Sequence, residues 1–126
     1  ELGWDANDGG LRLAVDVDGR ATVGWNFADT KLWWPQTEAL YGALLGWSHT
    51  GNPAFLDWYD RIWQICLAHF VDWENGEWRQ KLSRTFAPLH DIVALPVKDP
   101  FHLPRSLILQ LELLTSKHPA PAQVRQ

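Results

Sequence analysis

The sequence runs to 126 residues with a net charge of -4, and 46% of it is hydrophobic against 21% charged. That balance fits one globular unit with a core and excludes a disordered chain. Mild acidity and scattered Lys and Arg residues argue against nucleic acid or an anionic membrane as partner, and no apolar run is long enough to cross a bilayer.

Cys66 is the single cysteine, so an intrachain disulfide is impossible and a reducing, cytoplasmic setting is expected. Set among Ile62, Trp63 and Phe70, it reads as a small buried hydrophobe rather than a reactive thiol. The opening Glu1-Leu-Gly-Trp has neither the basic start nor the apolar run of a signal peptide, and methionine is absent. The chain is therefore expected to begin inside a longer reading frame. Nine tryptophans exceed the needs of a core this small. An indole N–H wants a partner when buried, so several are expected to line a cavity, where stacking on sugar faces is one use.

Residues 10–25 read as a hairpin: Leu11, Leu13 and Val15 alternate with polar neighbours, Asp18-Gly19 supplies the turn, and 21–25 return. Residues 26–31 read as a loop. Pro35 suits a first helical turn, and a helix is expected over 36–47. Thr50-Gly51-Asn52-Pro53 stops it and restarts the chain. The next helix, 54–70, places Phe55, Tyr59, Ile62, Trp63, Cys66, Leu67 and Phe70 at helical spacing. Residues 73–93 repeat the hairpin theme, with Trp73-Glu74-Asn75-Gly76-Glu77-Trp78 resembling the stretch from Trp4 to Gly10. Such self-similarity between helices marks a helical-hairpin repeat with β-decorated loops. Residues 95–101 read as extended. The final helix, 103–115, is apolar on most sides and expected to be well buried. A mainly α unit over 1–116 and a frayed polar tail over 117–126 complete the organisation. Three helices with apolar faces this broad do not close a core alone; they look like a sector of a larger helical ring.

Two segments set polar groups within aromatic or proline-rich stretches. In Lys31-Leu-Trp-Trp-Pro-Gln-Thr-Glu-Ala-Leu40, the residues Trp34, Glu38 and Tyr41 share a helix face, a carboxylate between two aromatics. On spacing alone, a solvated glutamate is the commoner outcome. In Val97-Lys-Asp-Pro-Phe-His-Leu-Pro-Arg-Ser106, His102 stands at a helix start with Arg105 three residues on and Lys98 four back. That cationic cluster suits an oxyanion or a hydroxyl-rich ligand, while a helix-capping His102 with Arg105 on a surface acid accounts for the same residues equally well. His49, His69, His90 and His118 are separated and lack ligand spacing, so no metal or other cofactor is expected.

The segments Lys31-Leu-Trp-Trp-Pro-Gln-Thr-Glu-Ala39 and Phe101-His-Leu-Pro-Arg105 resemble the two C-terminal signatures of the N-acylglucosamine 2-epimerase family, which includes the renin-binding proteins. Gly3-Trp4-Asp5 with Gly9-Gly10, Thr50-Gly51-Asn52-Pro53 and Gly76-Glu77-Trp78 match family landmarks in the same order. The resemblance covers the chain from Gly3 to about Leu114. It implies the C-terminal sector of an (α/α)6 barrel, mainly α, with short β-hairpins in the inter-helix loops and a central cavity for a small-molecule sugar. The implied activity is a sugar C2-epimerase or aldose–ketose isomerase, in which two histidines move a proton at C2 of the open-chain sugar. By motif position His102 is the second of them, Glu38 the pocket carboxylate, and Arg105 the stabiliser of charge on the carbonyl oxygen. Trp33, Trp34 and Lys98 are expected to contact substrate. The first histidine is implied in a His-x-x-Glu-type helix upstream of Gly3, so these 126 residues alone are expected to be inactive.

One departure bears on the substrate. Acetamido-sugar epimerases carry Lys-Gly-Gly-Pro-Phe/Trp-Lys-Gly before the Phe-His pair, where this chain has Ala94-Leu-Pro-Val-Lys-Asp-Pro100. A neutral hexose or a disaccharide is thereby left beside an N-acetylhexosamine. Two other readings stand: a non-catalytic binding module that forms a homo-oligomer through exposed helix faces, and a glycoside hydrolase on a similar ring with Glu38, Asp5 or Glu77 as paired carboxylates.

Overall fold

The computed structural model of the chain describes residues 2–18, 27–89 and 101–116. Strand β1 (Lys31–Leu32) leads into helix α1 (Trp33–Thr50). Helix α2 (Ala54–Ile65) continues as a π-helical turn (Cys66–Phe70). Strands β2 (Val71–Asp72) and β3 (Glu77–Trp78) form a small hairpin, β4 (Lys81–Leu82) follows, and helix α3 (His102–Thr115) is last. β4 pairs antiparallel with β1, Lys31 opposite Leu82 and Leu32 opposite Lys81, so the loop after α2 is tied back to the start of α1. Among the described residues no helix is long and apolar enough to cross a membrane.

Helix α1 starts at Trp33 rather than at Gln36. Pro35 is then third in the helix, where its missing N–H is still one of the donors without an intrahelical partner. At the other end Gly51 adopts a left-handed φ of 68° and its N–H closes on the Trp47 carbonyl at 2.7 Å, the cap the Thr50-Gly51 pair implies. Lys31, expected in a loop, is strand β1. Leu40, Ile62 and Cys66 form one core cluster between α1 and α2, and Trp33, Phe70 and Leu82 form a second beneath the β1–β4 pair. Cys66 is fully buried, and burial pushes its thiol up to about 12, so it stays un-ionised.

α1 and α2 cross closely at Gly46, where an added Cβ would lie 2.8 Å from the Phe55 ring. At Gly42 the space is open. Gly46→Ala is therefore expected to lower stability by about 1–3 kcal/mol through overpacking, despite alanine's better helix propensity. Gly42→Ala is expected to raise it by roughly 0.5–1 kcal/mol. Thermal melts of the two variants check this; equal shifts of the same sign would show that the crossing is not close.

The repeated loop theme is real, in a shifted register. The N–H groups of Asn7 and Asp8 donate to Asp5 Oδ1, and the N–H of Gly9 donates to the Asp5 carbonyl at 2.8 Å. The N–H groups of Glu74 and Asn75 donate likewise to Asp72 Oδ1, and that of Gly76 to the Asp72 carbonyl at 2.8 Å. Gly9 and Gly76 both take positive φ. The unit is Asp-x-x-x-Gly, an aspartate bonding its own following backbone ahead of a glycine that can turn left-handed. It aligns Asp72 with Asp5, where the sequence comparison set Trp73 against Trp4.

Two other expectations change. Within 10–25, the Leu13 N–H donates to the Thr30 carbonyl and the Ala14 N–H to that of Ala28, so this stretch leans on 28–30. The return strand over 21–25 lies outside the described residues, as do the extended stretch through 95–100 and the tail over 117–126. Helix α3 is not apolar-side-in. Its buried residues are Ser106 and Gln110, while Ile108, Leu111 and Leu114 are exposed. The reason is its neighbourhood: among the described residues α3 packs chiefly on α1, through a polar seam.

Candidate active site

The Lys31–Ala39 signature divides its work between two faces. Lys31 and Gln36 face the 2–14 segment and hold it. Gln36 Oε1 accepts from the Leu11 N–H at 2.9 Å and Gln36 Nε2 donates to the Leu11 carbonyl at 2.8 Å, a bidentate match that only an amide can make. Lys31 Nζ lies 3.4 Å from Asp5 Oδ2, both side chains fully buried, and donates to the Arg84 carbonyl at 2.6 Å. Arg12 and Arg84 complete the ring around Asp5, at 3.3 and 3.1 Å. Burial alone would raise the Asp5 carboxyl. The Arg84 side-chain bond, the Asn7 and Asp8 N–H groups and the Lys31 charge outweigh it and hold the group well below the usual carboxylate range. Asp5 is thus a sealed structural anion, and Glu77 sits on the exposed strand β3, where its Oε1 accepts from the Trp78 N–H.

Trp34 and Glu38 face the other way, toward α3. Glu38 bridges two residues there: Oε1 lies 2.9 Å from His102 Nδ1, and Oε2 accepts from an Arg105 guanidinium N–H at 2.7 Å. His102 opens α3 and Arg105 lies one turn further, so both reach the same carboxylate from one helix end. The Trp34 ring lies 5.3 Å from the His102 ring at 30°. The Arg105 guanidinium sits over Tyr41 at 5.5 Å and over Phe101 at 5.7 Å, so aromatic faces flank the ion pair. The Glu38 and His102 side chains are 28% and 29% exposed, shielded enough to strengthen their contact and open enough for a ligand to reach them.

A carboxylate only accepts, so the Nδ1 facing Glu38 carries the hydrogen. In the neutral ring the lone pair is then on Nε2. Glu38 in this way sets the tautomer and leaves one imidazole nitrogen to take or give a proton, with the Arg105 cation beside it.

Of the residues expected at a site, Glu38, His102, Arg105 and Trp34 come together. Trp33 does not join them. It is 6% exposed, in the core with Phe70 and Leu82, because consecutive helical residues point about 100° apart and only one of the two can face α3. Lys98 lies outside the described residues. A seam that sequence reading missed runs behind the ion pair through Thr37, Ser106, Gln110 and Tyr59. Its signal was present: polar residues at i and i+4 in an otherwise apolar helix mark a buried polar pair.

Residues 1–103 match the family model described as N-acylglucosamine 2-epimerase (GlcNAc 2-epimerase). The N-acylglucosamine 2-epimerase of Bos taurus is 38% identical over 114 residues, which are 90% of this chain and 27% of that protein. A crystal structure of D-mannose isomerase superposes with a TM-score of 0.76 at 22% identity, covering 88% of this chain and 27% of its own. The cellobiose 2-epimerase of Spirochaeta thermophila DSM 6192 superposes with a TM-score of 0.60 at 28% identity, over 68% of this chain and 22% of its own. The chain thus spans roughly a quarter of the length of the proteins it matches. These neighbours are (α/α)6 barrels of sugar isomerases and epimerases, and the three helices with their short strands form a sector of that ring. The chain belongs to the N-acylglucosamine 2-epimerase family.

Proposed function

We propose that the chain supplies one acid/base face of a cytoplasmic sugar C2-epimerase or aldose–ketose isomerase, with His102 as the proton-transfer group. The observation that carries this reading is the carboxylate of Glu38 shared between His102 Nδ1 and Arg105. Proton removal next to an aldehyde needs a base near neutrality and a sink for the enolate charge. His102 Nε2 is the base, Glu38 holds the ring in its tautomer, Arg105 stabilises the negative charge on the carbonyl oxygen, and the Trp34 indole stacks on the sugar. No step calls for a cofactor. Relatives named for N-acylglucosamine, D-mannose and cellobiose support a substrate among N-acetylhexosamines, neutral hexoses and disaccharides.

The test is deuterium incorporation at C2 of mannose, N-acetylmannosamine and cellobiose by the full-length protein in heavy water. Exchange on any of them supports the reading, and exchange on none removes it. The 126 residues alone are expected to give no exchange. Epimerisation needs donors on both faces of the enolised sugar, and among the described residues His102 is the histidine at this site, His69 being stacked on Phe86 at 4.0 Å. C2 exchange by the isolated chain would show that one histidine suffices.

A further inference from the structure

The seam between α1 and α3 is polar, directional and buried. The Tyr59 hydroxyl donates to Gln110 Oε1 at 2.9 Å, Gln110 Nε2 donates to Ser106 Oγ at 2.9 Å, and the Ser106 hydroxyl donates to the Thr37 carbonyl. Ser106 and Thr37 are fully buried and Gln110 nearly so. All donors point the same way along the chain, so each bond polarises the next. Burial raises the Tyr59 hydroxyl above its ordinary value and keeps it a donor through the neutral range.

Its placement matters more than its strength. Ser106 follows Arg105 directly, and Thr37 directly precedes Glu38. The last link and the ion pair therefore join the same two helices one residue apart. Helix α3 has no side-chain cap at its start, so the turn bearing His102 and Arg105 lacks that tie. Apolar packing is non-directional and would not by itself stop α3 from sliding on α1. A slip of one residue, about 1.5 Å along the axis, would separate both the Ser106–Thr37 bond and the His102–Glu38 contact. Tyr59 extends the tie to α2.

We infer that Ser106, Gln110 and Tyr59 are positioning residues: they lock the register of α3 on α1 and thereby hold His102 and Arg105 against Glu38. This rests on the reading of His102 as the proton-transfer group. The residues touch no substrate and act only through the geometry of the ion pair.

The experiment compares Ser106→Ala, Ser106→Thr and Gln110→Leu in the full-length protein. Ser106→Ala is expected to lower kcat at least about tenfold, since misplacement of about 1 Å is costly in catalysis, with KM within about twofold. Ser106→Thr keeps the hydroxyl and is expected to retain most of the activity, and Gln110→Leu to lose less than Ser106→Ala. The 15N resonance of His102 Nδ1 is expected to move in Ser106→Ala toward its position in Glu38→Gln. Normal kcat with an unmoved His102 resonance and only a lower Tm would overturn the inference, leaving a stability role. If the unmodified protein exchanges no sugar, the functional reading fails on its own, and the His102 resonance alone decides positioning. If Ser106→Ala does not fold, Ser106→Thr and Gln110→Leu decide it: retention in the first with loss in the second supports the tie, and equal kcat and resonance in both overturns it.

Discussion

Replacing His102 with alanine in the full-length protein is expected to lower kcat by about 10²–10⁴-fold, the usual loss when a positioned acid/base is removed. KM is expected to change little, because the imidazole acts on the transition state more than on ground-state binding. Arg105→Ala is expected to damage both terms, since a cation near the carbonyl oxygen holds substrate and stabilises the enolate. The competing account made His102 a helix cap. The helix start has no side-chain cap bond, and the ring is engaged with Glu38 on another helix. A capping histidine predicts a lower Tm with normal turnover per folded molecule. Measuring kcat and Tm side by side separates the two, and normal turnover would take His102 out of the mechanism.

Asp5→Ala is expected to cost about 3–5 kcal/mol, the range for breaking a buried ion pair from one side. The loss exceeds that of the pair itself because Lys31 would remain, fully buried, with its nearest countercharge gone. Burial already lowers the Lys31 pKa against the pull of Asp5, so the lysine is held charged at a cost that Asp5 offsets. Lys31→Met added to Asp5→Ala is accordingly expected to recover part of the loss, a non-additivity a double-mutant cycle measures. The pH dependence has a definite sign. The folded-state carboxyl lies well below the usual range and the unfolded one near ~3.9. Its contribution is full above that unfolded value and is lost as pH falls further toward the folded one. The stability gap between the native protein and Asp5→Asn is therefore expected to hold at neutral pH and to close only in strong acid. A constant gap down to pH 2 or so would point to lost packing instead.

Helix α2 and the Gly51 stop follow from features that sequence carries plainly, apolar periodicity and a glycine cap, while the convergence of Glu38 with His102 and Arg105 is implied by the family resemblance and not by spacing. The rest depended on contacts far apart in the chain. Lys31 looked like loop because nothing local announces its pairing with residues fifty positions on. Trp33 and Trp34 were indistinguishable as aromatics, and the helix start one residue before Trp34 decided which faces α3. The outward Ile108, Leu111 and Leu114 misled because apolar content predicts burial only when a neighbour is there to provide it. The paired Asp loops align two residues away from the tryptophan match, because it is the aspartates that bond the loop backbone.

The π-helical turn over Cys66–Phe70 bears on how this stretch tolerates insertions and deletions. A π turn holds one residue more than the α-helix would over the same rise, and it commonly marks an inserted residue. Phe70 at its end is fully buried, its carbonyl accepts the Arg79 N–H at 2.6 Å, and the next residue begins β2. Deleting one residue from 66–70 would therefore restore regular α geometry over the same rise and leave the segments that follow close to their present direction. β4 could then still meet β1 at the head of the helix that carries Glu38. In the neighbouring 73–76 turn an added residue meets only solvent-facing positions. Length variation among functional variants should therefore gather in that turn and, over the five residues before the hairpin, be limited to the loss of a single residue.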